Sequence, residues 1–244
     1  MNQSSKKLLI DLGNSRLKWR LAGTAGLGEP HSVSHAEILA AAPLFEDWRA
    51  LETPESIVCA SVAAVEVKQS LFGILHNLWP QTACRQVRAE AEAYGVRNAY
   101  AEPETLGVDR WLGLIAARRH YPGSCCIADC GTAVTFDALD AEGGHLGGLI
   151  CPGLRVMRQA LAANTAALNI APRANDALLA ADTAAALHNG ALYAAAGFIE
   201  TAYRRLAHPG RLILTGGDAG LIAEKLEIPF ILDTDLLFKG LQNY

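Results

Sequence analysis

Ile10-Asp11-Leu12-Gly13-Asn14-Ser15 and Ala128-Asp129-Cys130-Gly131-Thr132-Ala133 decide how this chain is read. Each hexamer runs small or apolar residue, Asp, any residue, Gly, short polar residue, small residue, and the second follows the first by 118 positions in a chain of 244. A single D-x-G in a hairpin is ordinarily only turn chemistry. Two of them, each ending one apolar run and opening another half a chain length apart, point to two homologous lobes. The flanking runs agree: Lys7 to Leu12 and Leu17 to Leu21 read as one hairpin, and Cys125 to Ala128 and Val134 to Ala138 as another. The boundary falls at residues 119 to 123, giving lobes 1–118 and 119–244.

Outward from the first hexamer, Ser56 to Ser61 reads as a buried strand, Val65 to Leu78 as an amphipathic helix stopped by Pro80, and Thr82 to Val87 as a strand. The polar stretch Arg88 to Glu104 reads as surface chain leading to a helix from Val108 to about His120. After the second hexamer come a strand at Leu146 to Cys151 and helices at Leu154 to Ala162 and, Ala-rich, Asp182 to about Ala207. Arg211 to Leu214 then enters Thr215-Gly216-Gly217-Asp218, followed by a helix to Leu226, a strand at Ile228 to Leu232 and a closing helix from about Asp235. A β-rich start followed by β/α alternation defines an α/β protein.

Composition limits the partners. With 51% apolar and 19% charged residues the chain can bury a core, and disorder is excluded. A formal charge of -4 with scattered Lys and Arg offers no face for nucleic acid. The apolar run after Lys6 and Lys7 is broken at Asp11, too short for a secretory signal or a membrane span, so we expect no membrane association and a cytoplasmic protein. Six cysteines without a C-x-x-C pair read as reduced, mostly buried thiols rather than a zinc site.

The two turns suit phosphate chemistry. Glycine lets a backbone approach an anion and present N–H groups, and Asn14, Ser15 and Thr132 add polar side chains. The carboxylates of Asp11 and Asp129 would repel bare phosphate, so they imply a cation between carboxylate and triphosphate. Lys18 follows at a distance that lets its ammonium reach back to the same anion. Neither G-x-x-x-x-G-K-[ST] nor a Rossmann-type G-x-G-x-x-G is present. Gly216 and Gly217 make a third glycine turn at a strand end, a place for a flat adenine or ribose. Phosphoryl transfer also needs a carboxylate to take the proton of the attacking hydroxyl, and Asp109 in Gly107-Val108-Asp109-Arg110 is the candidate. Its plainer reading is a first-turn Asp that complements a helix dipole. Arg110 could hold a substrate carboxylate or the transferring phosphate, or pair on the surface.

Together these segments resemble the type III pantothenate kinases of the acetate and sugar kinase/Hsc70/actin superfamily. Asp11 to Lys18 is similar to that family's first phosphate motif, Gly107 to Arg110 to its pantothenate motif, Asp129 to Asp137 to its second phosphate motif, Gly147 to Gly153 to its interface motif, and Thr215 to Gly217 to its adenosine motif. The resemblance implies two RNase H-like lobes of the actin/hexokinase type with an interlobe cleft. It also implies transfer of the ATP γ-phosphate to pantothenate, the first step of coenzyme A biosynthesis. By position it implies Asp109 as proton acceptor and Tyr100, Gly107, Val108, Asp109, Arg110 and Thr183 as pantothenate contacts. Asp11, Gly13, Asn14, Ser15, Lys18, Gly131, Thr132, Gly216 and Gly217 would then hold ATP, and Asp129 potassium or ammonium. Magnesium would travel with the nucleotide, and the family implies a homodimer. A sugar kinase of the same fold, or a nucleotide-binding regulator without turnover, are the competing readings.

Overall fold

The computed structural model describes residues 6–164 and 178–244. Its elements in chain order are strands β1 (Lys7–Leu12), β2 (Arg16–Gly23), β3 (Gly26–Leu27) and β4 (His31–Ser34); helices α1 (His35–Ala40) and α2 (Ala42–Arg49); strand β5 (Ser56–Ser61), helix α3 (Val65–Leu78) and strand β6 (Ala83–Gln86). There follow the hairpin β7 (Glu92–Ala93) and β8 (Val96–Arg97), helix α4 (Val108–His120), strands β9 (Cys125–Cys130), β10 (Ala133–Leu139) and β11 (His145–Pro152), and helices α5 (Leu154–Ala163) and α6 (Thr183–Arg205). Strand β12 (Arg211–Thr215), helix α7 (Ala219–Ala223), strand β13 (Ile231–Leu232) and helix α8 (Leu236–Leu241) complete the described chain.

The chain divides into two compact units. Unit 1 comprises Met1–Ala91, Tyr100–Ala116 and Leu237–Tyr244; unit 2 comprises Glu92–Ala99 and Ala117–Leu236. Unit 1 holds a mixed sheet in the order β3-β2-β1-β5-β6, with β4 also paired to β2. There β1 runs antiparallel to β2 and parallel to β5, and β5 parallel to β6. Unit 2 repeats the scheme as β11-β10-β9-β12-β13: β9 is antiparallel to β10 and parallel to β12, and β12 parallel to β13.

In unit 1 both sheet faces are covered, which is why β1 is almost wholly apolar rather than alternating. Leu8, Ile10 and Leu12 of β1 join Leu71, Ile74 and Trp48 in one core. On the other face Leu9 joins Val108 and Leu112 of α4 and Phe238 and Leu241 of α8. Trp48 is completely buried, with its ring 6.0 Å from that of Trp19, so its removal should cost about 3–5 kcal/mol. In unit 2, Cys126, Ala128 and Cys130 of β9 pack with Ala191, Ala195 and Ile199 of α6. The alanine bias of that helix serves close packing on a sheet.

Several elements lie outside the expected set. Strand β4 and helices α1 and α2 occupy a stretch without clean periodicity, where the one clear signal is Ser34 three residues before Glu37. Ser34 is the N-cap of α1, and a full capping box forms with Glu37. Within the expected surface stretch, β7 and β8 are joined through Tyr94 (φ 52) and Gly95 (φ 77), whose successive positive φ values suit a tight hairpin. Strand β13 is shorter than expected because Pro229 cannot donate to a ladder. Among the described residues no helix is long and apolar enough to cross a membrane. All six cysteines are free, four of them buried, as expected of reduced thiols.

Candidate functional site

The carboxyl ends of β1 and β5 bring the first group of expected residues together in unit 1. Asp11 lies directly opposite Lys18 in the β1–β2 ladder and opposite Ala60 in the β1–β5 ladder, so the Asp11 and Lys18 side chains share a face. It is the face of Leu9, on which Val108 and Leu112 pack. Between the strands, the Gly13 N–H donates to the Arg16 carbonyl at 3.1 Å, leaving Asn14 and Ser15 exposed at the tip. His35 Nε2 donates to the Gly13 carbonyl at 2.9 Å, and Arg16 Nε donates to the Ser32 hydroxyl at 2.7 Å. The turn is thus braced from β4 and α1, and neither brace has a local sequence signal.

Asp109 and Arg110 begin α4 on the same face. The Arg110 N–H donates to Asp109 Oδ1 at 2.8 Å, and a Cβ built on Gly107 would lie 2.6 Å from that oxygen. Glycine at 107 is therefore what allows the carboxylate to fold back over the helix start. Arg110 is only 8% exposed; its Nη1 donates to the Tyr100 hydroxyl at 2.9 Å, with the guanidinium 5.6 Å from the ring centroid. Tyr100 and Arg110, both expected substrate contacts, are brought together. Gly107 and Val108 line a cavity of about 450 Å³ with Ser61, Lys68 and Arg88. The last two are cations that isolated positions in a helix and a loop gave no reason to select.

Unit 2 carries the second group at the equivalent strand ends. Asp129 lies opposite Thr135 of β10 and Thr215 of β12. The Gly131 N–H donates to the Ala133 carbonyl at 2.9 Å, and the Thr132 carbonyl accepts from Gly153 N–H at 3.0 Å. Gly216 has φ 95, and a Cβ there would meet Asp129 Oδ1 and the Cys130 carbonyl, so the third glycine turn presses onto the second hexamer. Gly217 has open space around it. The Asp218 N–H donates to the Cys130 carbonyl at 2.9 Å; burial pushes the Asp218 carboxyl above its ordinary range, against Arg158 and Arg155, which pull it down. Burial likewise pushes the Cys130 thiol up, leaving it a packing group. Thr183 is exposed at the first position of α6, behind the N-cap Asp182, and lines a groove of unit 2 with Met157, Arg158 and Leu161. Among the described residues there is no cluster of three His, Cys, Asp or Glu.

Two antiparallel-then-parallel sheets of identical strand order, each with a glycine turn after its first strand, define the α/β fold of sugar kinases and actin-like ATPases. A solved structure described as a putative 2-dehydro-3-deoxygalactonokinase from Sinorhizobium meliloti is similar with a TM-score of 0.60, at 14% identity, over 97% of each chain. One described as a conserved putative Baf family transcriptional activator from Campylobacter jejuni gives 0.61 at 22% identity, over 97% of this chain and 96% of its own. A sequence model for type III pantothenate kinase matches residues 7–205, and the type III pantothenate kinase of Nitrosococcus oceani is 40% identical over 96% of this chain and 91% of its own. The chain belongs to the type III pantothenate kinase family.

Proposed function

We propose that this enzyme transfers the γ-phosphoryl group of ATP to the primary hydroxyl of pantothenate, giving 4'-phosphopantothenate, the first step of coenzyme A biosynthesis. The observation that carries the reading is the start of α4: a carboxylate and a buried guanidinium, the latter bonded to Tyr100, on the sheet face that also bears Asp11 and Lys18. In this reading Asp109 takes the proton of the attacking hydroxyl, and Arg110 with Tyr100 receives the carboxylate of pantothenate. Gly107, Val108 and Thr183 complete the acceptor contacts. Asp11, Gly13, Asn14, Ser15 and Lys18 of the first turn, Gly131 and Thr132 of the second, and Gly216 and Gly217 hold the nucleotide, which brings magnesium with it. Phosphoryl transfer asks for this kind of positioning and charge neutralisation more than for covalent help.

A monovalent cation, potassium or ammonium, belongs at Asp129. The donor chemistry fits, because the ladder neighbours of Asp129 on both sides are threonines, which offer hard oxygen donors. Bound there, the cation would supply positive charge against the triphosphate. The two lobes, read from the sequence as 1–118 and 119–244, are proposed to be homologous, supported by the repeated strand order, with Glu92–Ala99 grouping with the second unit and Leu237–Tyr244 with the first. A homodimer is supported by β11, an edge strand that exposes Leu146 (59%), Leu149 (51%) and Ile150 (62%) beside a groove of about 880 Å³ lined by Gly197, Phe198 and Thr201 of α6. An apolar edge strand of this kind calls for cover, and a second copy supplies it. Free thiols throughout fit a reducing cytoplasm.

The test is ATP-dependent phosphorylation of pantothenate by the purified protein, with and without potassium. Asp109→Asn should stay folded and lose roughly two to four orders of magnitude in kcat. Turnover equal to the parent's would remove Asp109 as the base.

A further inference from the structure

One buried ionisable pair in unit 2 is assigned no role in the readings above, although Asp137 closes the segment that resembles the second phosphate motif. Asp137 of β10 and His145 of β11 are 2% and 5% exposed, and His145 Nε2 lies 2.9 Å from Asp137 Oδ1. The other ring nitrogen, Nδ1, lies 3.4 Å from the backbone nitrogen of Ala99. Asp137 as a carboxylate can only accept, and the Ala99 N–H can only donate. Both bonds therefore exist together in one form of the ring: neutral, with its proton on Nε2 and the Nδ1 lone pair toward Ala99.

The surrounding chain is tied down at the same place. The Arg97 N–H donates to the Gly143 carbonyl at 2.9 Å, and Arg97 forms an isolated parallel bridge with Gly144. Gly144 N–H donates in turn to Asp140 Oδ1 at 2.6 Å, and Glu142 N–H to the same oxygen at 3.0 Å, which stiffens the turn that receives Arg97. His145 makes the last tie before Tyr100, and Tyr100 accepts from the buried Arg110. A chain of bonds thus runs from Asp137 through His145 to Ala99, and the next residue is the aromatic partner of the guanidinium.

We propose that the buried Asp137–His145 pair is a positioning device for the acceptor site. Asp137 fixes the tautomer, Nδ1 of His145 holds the Ala99 N–H, and the following peptide delivers Tyr100 to Arg110 in the arrangement that receives the carboxylate of the acceptor. The idea rests on the function proposed above for Tyr100 and Arg110. Asp137 and His145 are buried, so in this proposal both act through Tyr100, and the parameter they govern is acceptor affinity rather than the chemical step.

Two substitutions separate this role from simple core packing. In His145→Gln the amide reaches toward Asp137 but leaves no acceptor where Nδ1 stood; in His145→Asn the side-chain oxygen takes the Nδ1 place and can still accept from Ala99. We expect His145→Gln to raise KM for pantothenate roughly tenfold, His145→Asn to raise it less than about threefold, and both to leave KM for ATP within about twofold. Lower kcat with an unchanged KM for pantothenate in folded His145→Gln overturns the proposal, as does an equal rise in both variants. The unmodified protein gives an independent readout: ¹⁵N spectra of its histidines at neutral pH should show His145 protonated on Nε2 alone. A proton on Nδ1 overturns the proposal whatever the variants do. Failure of the parent to phosphorylate pantothenate counts against the proposed function, and the tautomer measurement still judges the pair.

Discussion

The two glycine turns are built on one plan but set different residues opposite their aspartates. In unit 1 four residues separate the ladder partners Leu12 and Leu17; in unit 2 three separate Cys130 and Val134. The hexamers align through the glycines, but the return strands are offset by one residue, so Lys18 of β2 corresponds to Thr135 of β10. Asp11 therefore stands opposite the lysine of its own hairpin, while the ladder partners of Asp129 are Thr135 and Thr215. A one-residue difference in turn length decides which aspartate stands opposite a lysine in the ladder and which stands opposite a threonine. The packing differs as well: the first turn stands exposed and is braced by His35, whereas the second is pressed by Gly153 from one strand end and Gly216 from another.

The largest effect should come from removing the built-in cation. Lys18→Met keeps the length of the side chain and discards its charge, and we expect kcat/KM for ATP to fall roughly 10²- to 10³-fold, the scale of losing one preorganised partner of a developing charge. Potassium should not restore it, because the loss lies in the other unit. Recovery of parental kinetics in high potassium would mean that the two turns are electrically interchangeable.

A smaller effect is expected at Asp129, the proposed cation site. Asp129→Asn should reduce potassium activation about tenfold, corresponding to about 1.4 kcal/mol. The sharper experiment grafts the first turn's solution onto the second: Thr135→Lys sets an ammonium opposite Asp129 as Lys18 stands opposite Asp11. Activity of that variant should depend less on potassium than the parent's, measured across a potassium titration at constant ionic strength. Unaltered potassium dependence in a folded Thr135→Lys protein would place the cation away from this ladder.

The duplicated plan was legible because it is written in local pattern. Apolar runs ending in Asp-x-Gly mark β1 and β9 within the chain itself, and the 3.6-residue period of Val67, Leu71, Ile74 and Leu75 marks the buried face of α3. Asp109 and Arg110 could be selected from the start of a helix. What escaped is made by partners distant in sequence. His35 meets Gly13 across 22 residues, Ala99 meets His145 across 46, and Trp111 Nε1 donates to the Tyr244 hydroxyl across 133. No window of sequence contains both members of such a pair. The register shift that sets Lys18 against Thr135 was equally hidden, since aligned hexamers do not reveal how many residues a turn spends before its ladder resumes.

The smallest predicted difference between the units is their response to acid. The buried face of α3 in unit 1 holds only apolar side chains, whereas α6 in unit 2 buries His188, 7% exposed. Burial lowers the pKa of His188, and the charges of Arg158 and Lys225 lower it further. Arg158 Nη1 lies 3.2 Å from Nδ1 and donates to it, which requires that nitrogen unprotonated. Below the ordinary histidine pKa of 6.5, and down to the depressed native value, the unfolded chain binds a proton that the native chain refuses. Stability of unit 2 therefore falls as pH drops through that window and levels off beneath it. Hydrogen exchange at pH 7 and pH 5, corrected for intrinsic rates, should show protection in β9 and β10 falling more than in β1 and β2. His188→Gln, neutral throughout, should bring the two hairpins into line. An equal loss in both hairpins of the parent would assign the acid response to groups other than His188.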